Sequence, residues 1–393
     1  MSALRKGRPV DFELDDDQRE LQSLAAQVLD REATLDRSAA PPAATYDARA
    51  WKALAQAGLL GAGLPTAVGG AGRGAVELAI VLREIGAHAA PVPAYASLAL
   101  GAPPLAAHGE PAQVRALLAP LAEGNAILTG AVREPGTPAI AAGGVRTTAR
   151  RAGGGYVLDG VKTFVPYAAE AARILVPART DGDGAVRVFL VEPAAVRLTP
   201  HPAATGEPMS RVALDGVRVG ADALLGGGAW TTLRRYACAG AVATVCGALD
   251  RALALTSEHV RTREQFGRVL AEFQAVTMRI GDVYIAKRAL DVAMWAAVWR
   301  LGRTGDGADG AAGAVGQDGA DEADEVDEML AVAAYNACGP AVEALYACQH
   351  LHGGIGLDVT YPLHRYFALG KHYGHLLGGV EAQLDALADL LPA

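Results

Sequence analysis

Apolar residues along this 393-residue chain change their repeat twice, and that confines the fold to helices, then strands, then helices again. Asp15 with Gln18 has the form of a helix-capping box, and Leu21, Leu24 and Val28 follow at helical spacing. Trp51 and Leu54 mark a second short helix that Gly58 closes, and Leu78, Val81, Leu82 and Ile85 mark a third. From residue 129 to 219 the repeat drops to two. Tyr156 and Leu158 alternate with Val157, and Val161, Thr163 and Val165 alternate in turn, so Asp159-Gly160 between them reads as a hairpin turn. Asp181-Gly182-Asp183-Gly184 separates residues 174–176 from 186–191 in the same way. After Trp230 the helical repeat returns: Leu249, Leu253, Thr256 and Val260 share one face, Phe273, Val276, Ile280 and Val283 the next. The Gly-, Ala- and acid-rich residues 303–328 read as a disordered surface excursion. The expected architecture is α+β: an N-terminal helical domain over 1–125, a middle β domain over 126–226, and a C-terminal helical bundle over 227–393 carrying the insertion 303–328.

Charge and cysteine usage narrow the function classes. A formal charge of −8 argues against nucleic-acid or anionic-membrane partners, while leaving room for a local basic pocket. Cys238, Cys246, Cys338 and Cys348 have no metal-ligand spacing and read as buried, reduced thiols, as in a cytoplasmic protein. The N-terminal stretch turns acidic too early for a signal peptide, and the apolar run 236–249 is too short to span a bilayer. His350 and His352 lack a third ligand at a recognisable spacing, so no metal is expected there.

Two motifs suit an anionic dinucleotide. Arg263-Glu264-Gln265-Phe266-Gly267 follows a helix, with Gln274 beyond it; the guanidinium offers a forked contact to phosphate and the aromatic a face for a heterocycle. Gly353-Gly354 ends another helix and lets backbone amides approach a diphosphate, with His350 just before it. Together with Tyr361-Pro362, these residues resemble the C-terminal signature of the acyl-CoA dehydrogenase family, and the helix–strand–helix order matches that family along nearly the whole chain. The resemblance implies a C-terminal four-helix bundle, FAD as cofactor, an acyl-CoA thioester as substrate, and α,β-dehydrogenation as the reaction. It also implies that Arg263, Phe266, Gln274, His350, Gly353 and Gly354 hold the dinucleotide end of an FAD whose ring lies in a neighbouring subunit.

The ring end departs from the family pattern. Counted from Gly353-Gly354, the family's catalytic Glu falls on Leu377, which cannot take a proton from carbon. Where relatives have Thr-Glu-Pro-Gly-x-Gly-Ser-Asp, this chain has Arg133-Glu134-Pro135-Gly136-Thr137-Pro138-Ala139-Ile140. Where they have Trp-Ile-Thr-Asn, it has Phe164-Val165-Pro166-Tyr167, and Pro166 supplies neither hydroxyl nor N–H. Some relatives carry the base on the first helix after the β domain, but no Asp or Glu stands between Asp222 and Asp250. Arg234 and Arg235 in that stretch read as a CoA-phosphate contact or as solvated or capping groups. A homo-oligomer would pair every intact half-site with a degenerate one. The resemblance therefore points to the accessory chain of a hetero-oligomer, like the subunit lacking the catalytic Glu in heterotetrameric steroid-type acyl-CoA dehydrogenases, partnered with a second, catalytic subunit. Alternatives are a self-sufficient dehydrogenase with a displaced base, Glu381 or Asp358, or a flavin-dependent oxygenase on the same fold.

Overall fold

The computed structural model describes residues 13–33, 46–137, 140, 144–303 and 317–390, with side chains of 317–323 excepted. Helices α1 (Asp16–Glu32), α2 (Ala48–Gln56), α3 (Ala75–Ala87), α4 (Ala102–His108) and α5 (Pro111–Ala122) form the first region, with a π-helical turn at Tyr95–Gly101. Asp15 caps α1 as the sequence predicts: its Oδ1 accepts from the Gln18 amide at 2.8 Å, and the Gln18 side chain accepts from the Asp15 amide. Gly58 takes a left-handed φ of 75° just past α2.

The strands are β1 (Leu128–Gly130), β2 (Thr148–Ala152), β3 (Gly155–Pro166), β4 (Arg173–Thr180), β5 (Val186–Val191), β6 (Arg197–His201) and β7 (Met209–Gly220), forming one sheet in the order β1-β4-β2-β3-β7-β6. β5 pairs antiparallel with β4 across the Asp181–Gly184 turn, as expected. The other expected turn is displaced. β3 runs straight through Asp159-Gly160, where its register against β7 shifts by a bulge, and the β2–β3 hairpin turns at Gly153-Gly154, both at positive φ. A Cβ at Gly160 would meet Thr147, so glycine there serves close packing rather than chain reversal.

The C-terminal region contains α6 (Ala229–Thr262), a small hairpin of β8 (Glu264–Gln265) and β9 (Arg268–Val269), then α7 (Gln274–Leu301), α8 (Gln317–Cys338), α9 (Pro340–His352), α10 (Leu363–Leu376) and α11 (Gly379–Asp389). α6 to α9 pack on one another, and α10 lies against α6 and α9. The expected excursion at 303–328 is corrected in its second half: residues 304–316 lie outside the described set, but α8 begins at Gln317. Val326, Leu330, Ala334 and Ala337 give α8 a buried face at helical spacing, which outweighs the acidic composition of its start.

α6 is long and apolar enough, by length and composition, to cross a membrane, yet 67% of its most apolar window is buried inside the fold. Its tightest neighbour is α3. A Cβ on Gly86 would overlap the Thr244 carbonyl, and one on Gly247 would overlap the Arg83 carbonyl, so the two backbones touch. Beside this crossing Arg83 pairs with Asp250 at 3.0 Å, and Lys287 bridges Asp250 and Asp291 at 3.0 and 2.9 Å.

Candidate active site and dinucleotide half-site

The dinucleotide motifs lie at the surface of the C-terminal helices. α6 ends at Thr262, and the following hairpin presents Phe266 at its tip, 92% exposed and with φ 57°. An exposed aromatic held in a left-handed conformation costs of order 1–3 kcal/mol, the kind of strain found at ligand and partner contacts. Arg263, Gln274 and His350 are exposed. Gly353, at φ 61°, terminates α9, and neither it nor Gly354 has an atom near its missing Cβ, so both backbones face open space. One link between the motifs was invisible in the sequence. His259, on the last turns of α6, stacks on His352 at 4.4 Å, and the Tyr361 hydroxyl is 3.1 Å from His352 Nε2. Burial holds both imidazoles below their usual pKa; Arg263 depresses His259 further, and His259 depresses His352. This neutral stack sets the end of α6 against the end of α9.

At the ring end, the departures at Arg133, Phe164, Pro166 and Leu377 each have a structural occupant, while Pro138 and Ala139 lie outside the described residues. Arg133 reaches across from the β region: its Nη1 donates to the His375 carbonyl at 2.7 Å, and its guanidinium lies 5.6 Å from the Phe164 ring centroid. Phe164, at φ 52°, stacks on His201 at 5.8 Å. The Pro166 carbonyl accepts from Thr129 Oγ1 at 2.7 Å. Leu377 is 2% exposed and caps α10, and its carbonyl accepts from Gln383 at 2.6 Å. It packs in the hydrophobic core.

The retained Glu134 has become structural. Lys162 Nζ, fully buried, pairs with Glu134 Oε1 at 2.7 Å, and Thr147 donates to the same oxygen at 2.6 Å. Burial depresses Lys162 to about 8, with Glu134 opposing the shift. Lys162→Met strands a buried carboxylate and should destabilise the fold by about 3 kcal/mol or more, read as a fall in denaturation midpoint. An unchanged midpoint contradicts the pairing.

Neither displaced carboxylate reaches a site. Asp358 is exposed, and the Thr360 amide and hydroxyl, both at 2.8 Å, hold its carboxyl below the usual range. Glu381 is exposed on the first turn of α11. Arg234 and Arg235 are taken by Asp327 of α8 at 2.6 and 2.9 Å, which replaces the phosphate-contact reading with an α6–α8 tie. The four cysteines are free thiols, and burial pushes Cys238 to about 12 and Cys338 and Cys348 to about 11, which makes them poor nucleophiles.

The carboxyl that sequence reasoning missed is Glu207, in the turn between β6 and β7. It lines a cavity of about 550 Å³ bounded by the end of α3, the π-helical turn, α6 and α10. Its Oε2 is 3.7 Å from His372 Nε2, beyond hydrogen-bond reach. Burial raises Glu207 to about 8; burial, with His375 and Arg133 nearby, lowers His372 to about 4. Both groups are therefore neutral at pH 7. Their effects on stability have opposite signs. Depressed His372 contributes stability that is present above 6.5 and lost as pH falls toward 4. Raised Glu207 contributes stability that is present below 4.5 and lost as pH rises toward 8. Glu207→Gln removes only the second effect. Relative to that variant, wild-type stability should fall by about 4 kcal/mol across that rise, measured by urea midpoints. A constant difference would show Glu207 to be ordinarily acidic.

Comparison with known proteins agrees with this geometry. Residues 15–125 match the acyl-CoA dehydrogenase N-terminal domain and residues 235–391 the C-terminal domain. Acyl-CoA dehydrogenase FadE28 of Mycobacterium tuberculosis is 35% identical over 337 residues, covering 86% of this chain and 91% of that one. A chain of the ChsE4-ChsE5 complex from M. tuberculosis superposes with a TM-score of 0.86 at 30% identity, covering 98% of this chain and 100% of that one. A chain from a variant of the Tcur3481-Tcur3483 steroid ACAD gives 0.83 at 36% identity, covering 95% and 97%. With both end domains matched and the helical, β and helical regions in the family's order, the chain belongs to the FAD-dependent acyl-CoA dehydrogenase family.

Proposed function

We propose that this chain is the accessory subunit of a hetero-oligomeric acyl-CoA dehydrogenase and lends its dinucleotide half-site to a catalytic partner's FAD. The observation that carries this reading is Leu377, a buried core residue where the family's base stands, while the displaced candidates Asp358 and Glu381 are both exposed. The site residues fit FAD at one end only. Arg263, Phe266, Gln274, His350 and the Gly353-Gly354 amides are exposed and suited to a diphosphate and adenosine. At the other end the Arg133 guanidinium contacts Phe164 and α10, where a hydroxyl for a flavin ring would be needed.

FAD, when bound, accepts the hydride that leaves the substrate's β-carbon. In the proposed arrangement the partner supplies the base and the ring contacts. This chain holds the diphosphate and orders the interface. Exposed apolar residues on α7, Met278, Tyr284, Ile285 and Val292, support a subunit contact beside the dinucleotide motifs. The two-component names of the ChsE4-ChsE5 and Tcur3481-Tcur3483 relatives support an unlike partner, and the steroid designation of the latter supports a bulky ring-bearing acyl-CoA as substrate. Co-expression with a neighbouring dehydrogenase subunit should give a yellow complex that reduces an artificial acceptor with acyl-CoA, while this chain alone gives neither colour nor turnover. Full turnover by this chain alone rejects the accessory role.

A further inference from the structure

We infer that His259 is a positioning residue for the Gly353-Gly354 turn: its ring, stacked on His352, holds the turn in place, and protonation of both rings releases it. The consequence for FAD rests on the accessory-subunit reading, in which that turn faces the diphosphate.

His352 is the last residue of α9 and directly precedes Gly353. It is 6% exposed, so the contacts of its ring decide where the turn begins. Nδ1 lies 2.9 Å from the Cys348 carbonyl, which only accepts, so the neutral ring carries its proton on Nδ1. Nε2 then accepts from the Tyr361 hydroxyl at 3.1 Å. That bond joins the two ends of the segment that carries both glycines, residues 353–360. Neither glycine has an atom near its missing Cβ, so the hold on the turn comes from its flanks. His259 supplies the outer clamp. Its ring lies 4.4 Å from that of His352 with 17° between the planes, and its carbonyl accepts from the Arg263 amide at 2.8 Å. One residue thus touches both motifs, through its backbone at Arg263 and through its side chain at the residue before Gly353.

The clamp depends on charge. A first proton leaves a cation facing a neutral ring. A second makes two parallel cations 4.4 Å apart, with the Arg263 charge acting on His259 as well. Nε2 of His352 then points a hydrogen at a hydroxyl that had been donating to it. The neighbouring groups do not offset this. Glu258, exposed on α6, acts on Tyr361; Asp358 is bonded to Thr360; His364 Nδ1 lies 2.7 Å from the Tyr361 carbonyl; His350 is exposed on α9. Among the described residues, no charged group of α7, α8 or α10 acts on either ring. Burial opposes protonation of both imidazoles, so the stack is intact above 6.5 and is lost on the acid side of that value.

Hydrogen–deuterium exchange on the full chain, corrected for the intrinsic effect of pH, tests the proposal at about pH 7.5 and about pH 5. In wild type the amides of residues 353–358 should exchange about tenfold faster in acid, measured against those of β4 as an internal reference. His259→Phe keeps a ring on which a charged His352 stacks favourably and which takes no proton, so its exchange should be the same at both values. His259→Ala removes the ring and should exchange fast at both. Should the alanine variant not fold, wild type and the phenylalanine variant decide. No acid acceleration in wild type, or the same acceleration in His259→Phe, overturns the inference. FAD release from the hetero-oligomer is read separately: acid should speed it about tenfold with the wild-type chain and leave it unchanged with His259→Phe. Amides released by acid while flavin release ignores pH would support the positioning role and count against the assignment of this turn to FAD.

Discussion

Arg263→Ala in this chain, assembled with its catalytic partner, should weaken FAD binding about ten- to a hundredfold although the chain carries no base. The reasoning is electrostatic. A guanidinium on a diphosphate makes forked, charge-assisted hydrogen bonds, and alanine leaves that anion facing water and the α9 terminus alone. Arg263 is exposed and adjoins the His259–His352 stack, so its removal leaves the core untouched and the fold intact. The proposed asymmetry adds a control. Alanine at the corresponding arginine of the partner should leave flavin content unchanged, because that residue would face this chain's degenerate ring end. Flavin absorbance per protein after gel filtration reads both. Equal losses from the two substitutions contradict the asymmetry.

Gly247→Ala should destabilise the fold by about 3 kcal/mol, through overpacking rather than lost contacts. The added methyl has no flexible side chain to displace; it meets the Arg83 carbonyl on the facing helix, so α3 and α6 must separate. Separation also stretches the Arg83–Asp250 pair at the same crossing. Gly281, on α7, has no atom near its missing Cβ and serves as the matched control, where alanine is expected to be neutral or slightly stabilising through helix propensity. Comparable losses at both positions would place the effect outside the α3–α6 contact.

The succession of helices, strands and helices was legible because burial imposes its period on sequence: Leu78, Val81, Leu82 and Ile85 do line the buried face of α3. Local turn chemistry was legible at Asp181–Gly184 and not at Asp159-Gly160, because glycine serves a bulge as readily as a hairpin. The start of α8 was hidden by its acidic composition, although its apolar spacing was present in Val326, Leu330 and Ala334. Losses at the ring end could be read as substitutions, Leu377 and Arg133 among them. What fills the space could not: the contact of Arg133 with His375 joins residues far apart in sequence, as does the approach of Glu207 to His372. An acid in a Gly-Glu-Pro turn carries no local mark of burial, and only the packing of α10 against the β6–β7 turn encloses it. The His259–His352 stack escaped for the same reason.

The most direct measurement is the flavin stoichiometry of the purified hetero-oligomer, from FAD released on denaturation against the count of both chains. One FAD per pair of unlike chains, with none retained by this chain alone, is the predicted result. One FAD on every chain, or full occupancy in a preparation of this chain by itself, would contradict the division of the cofactor site between unlike subunits.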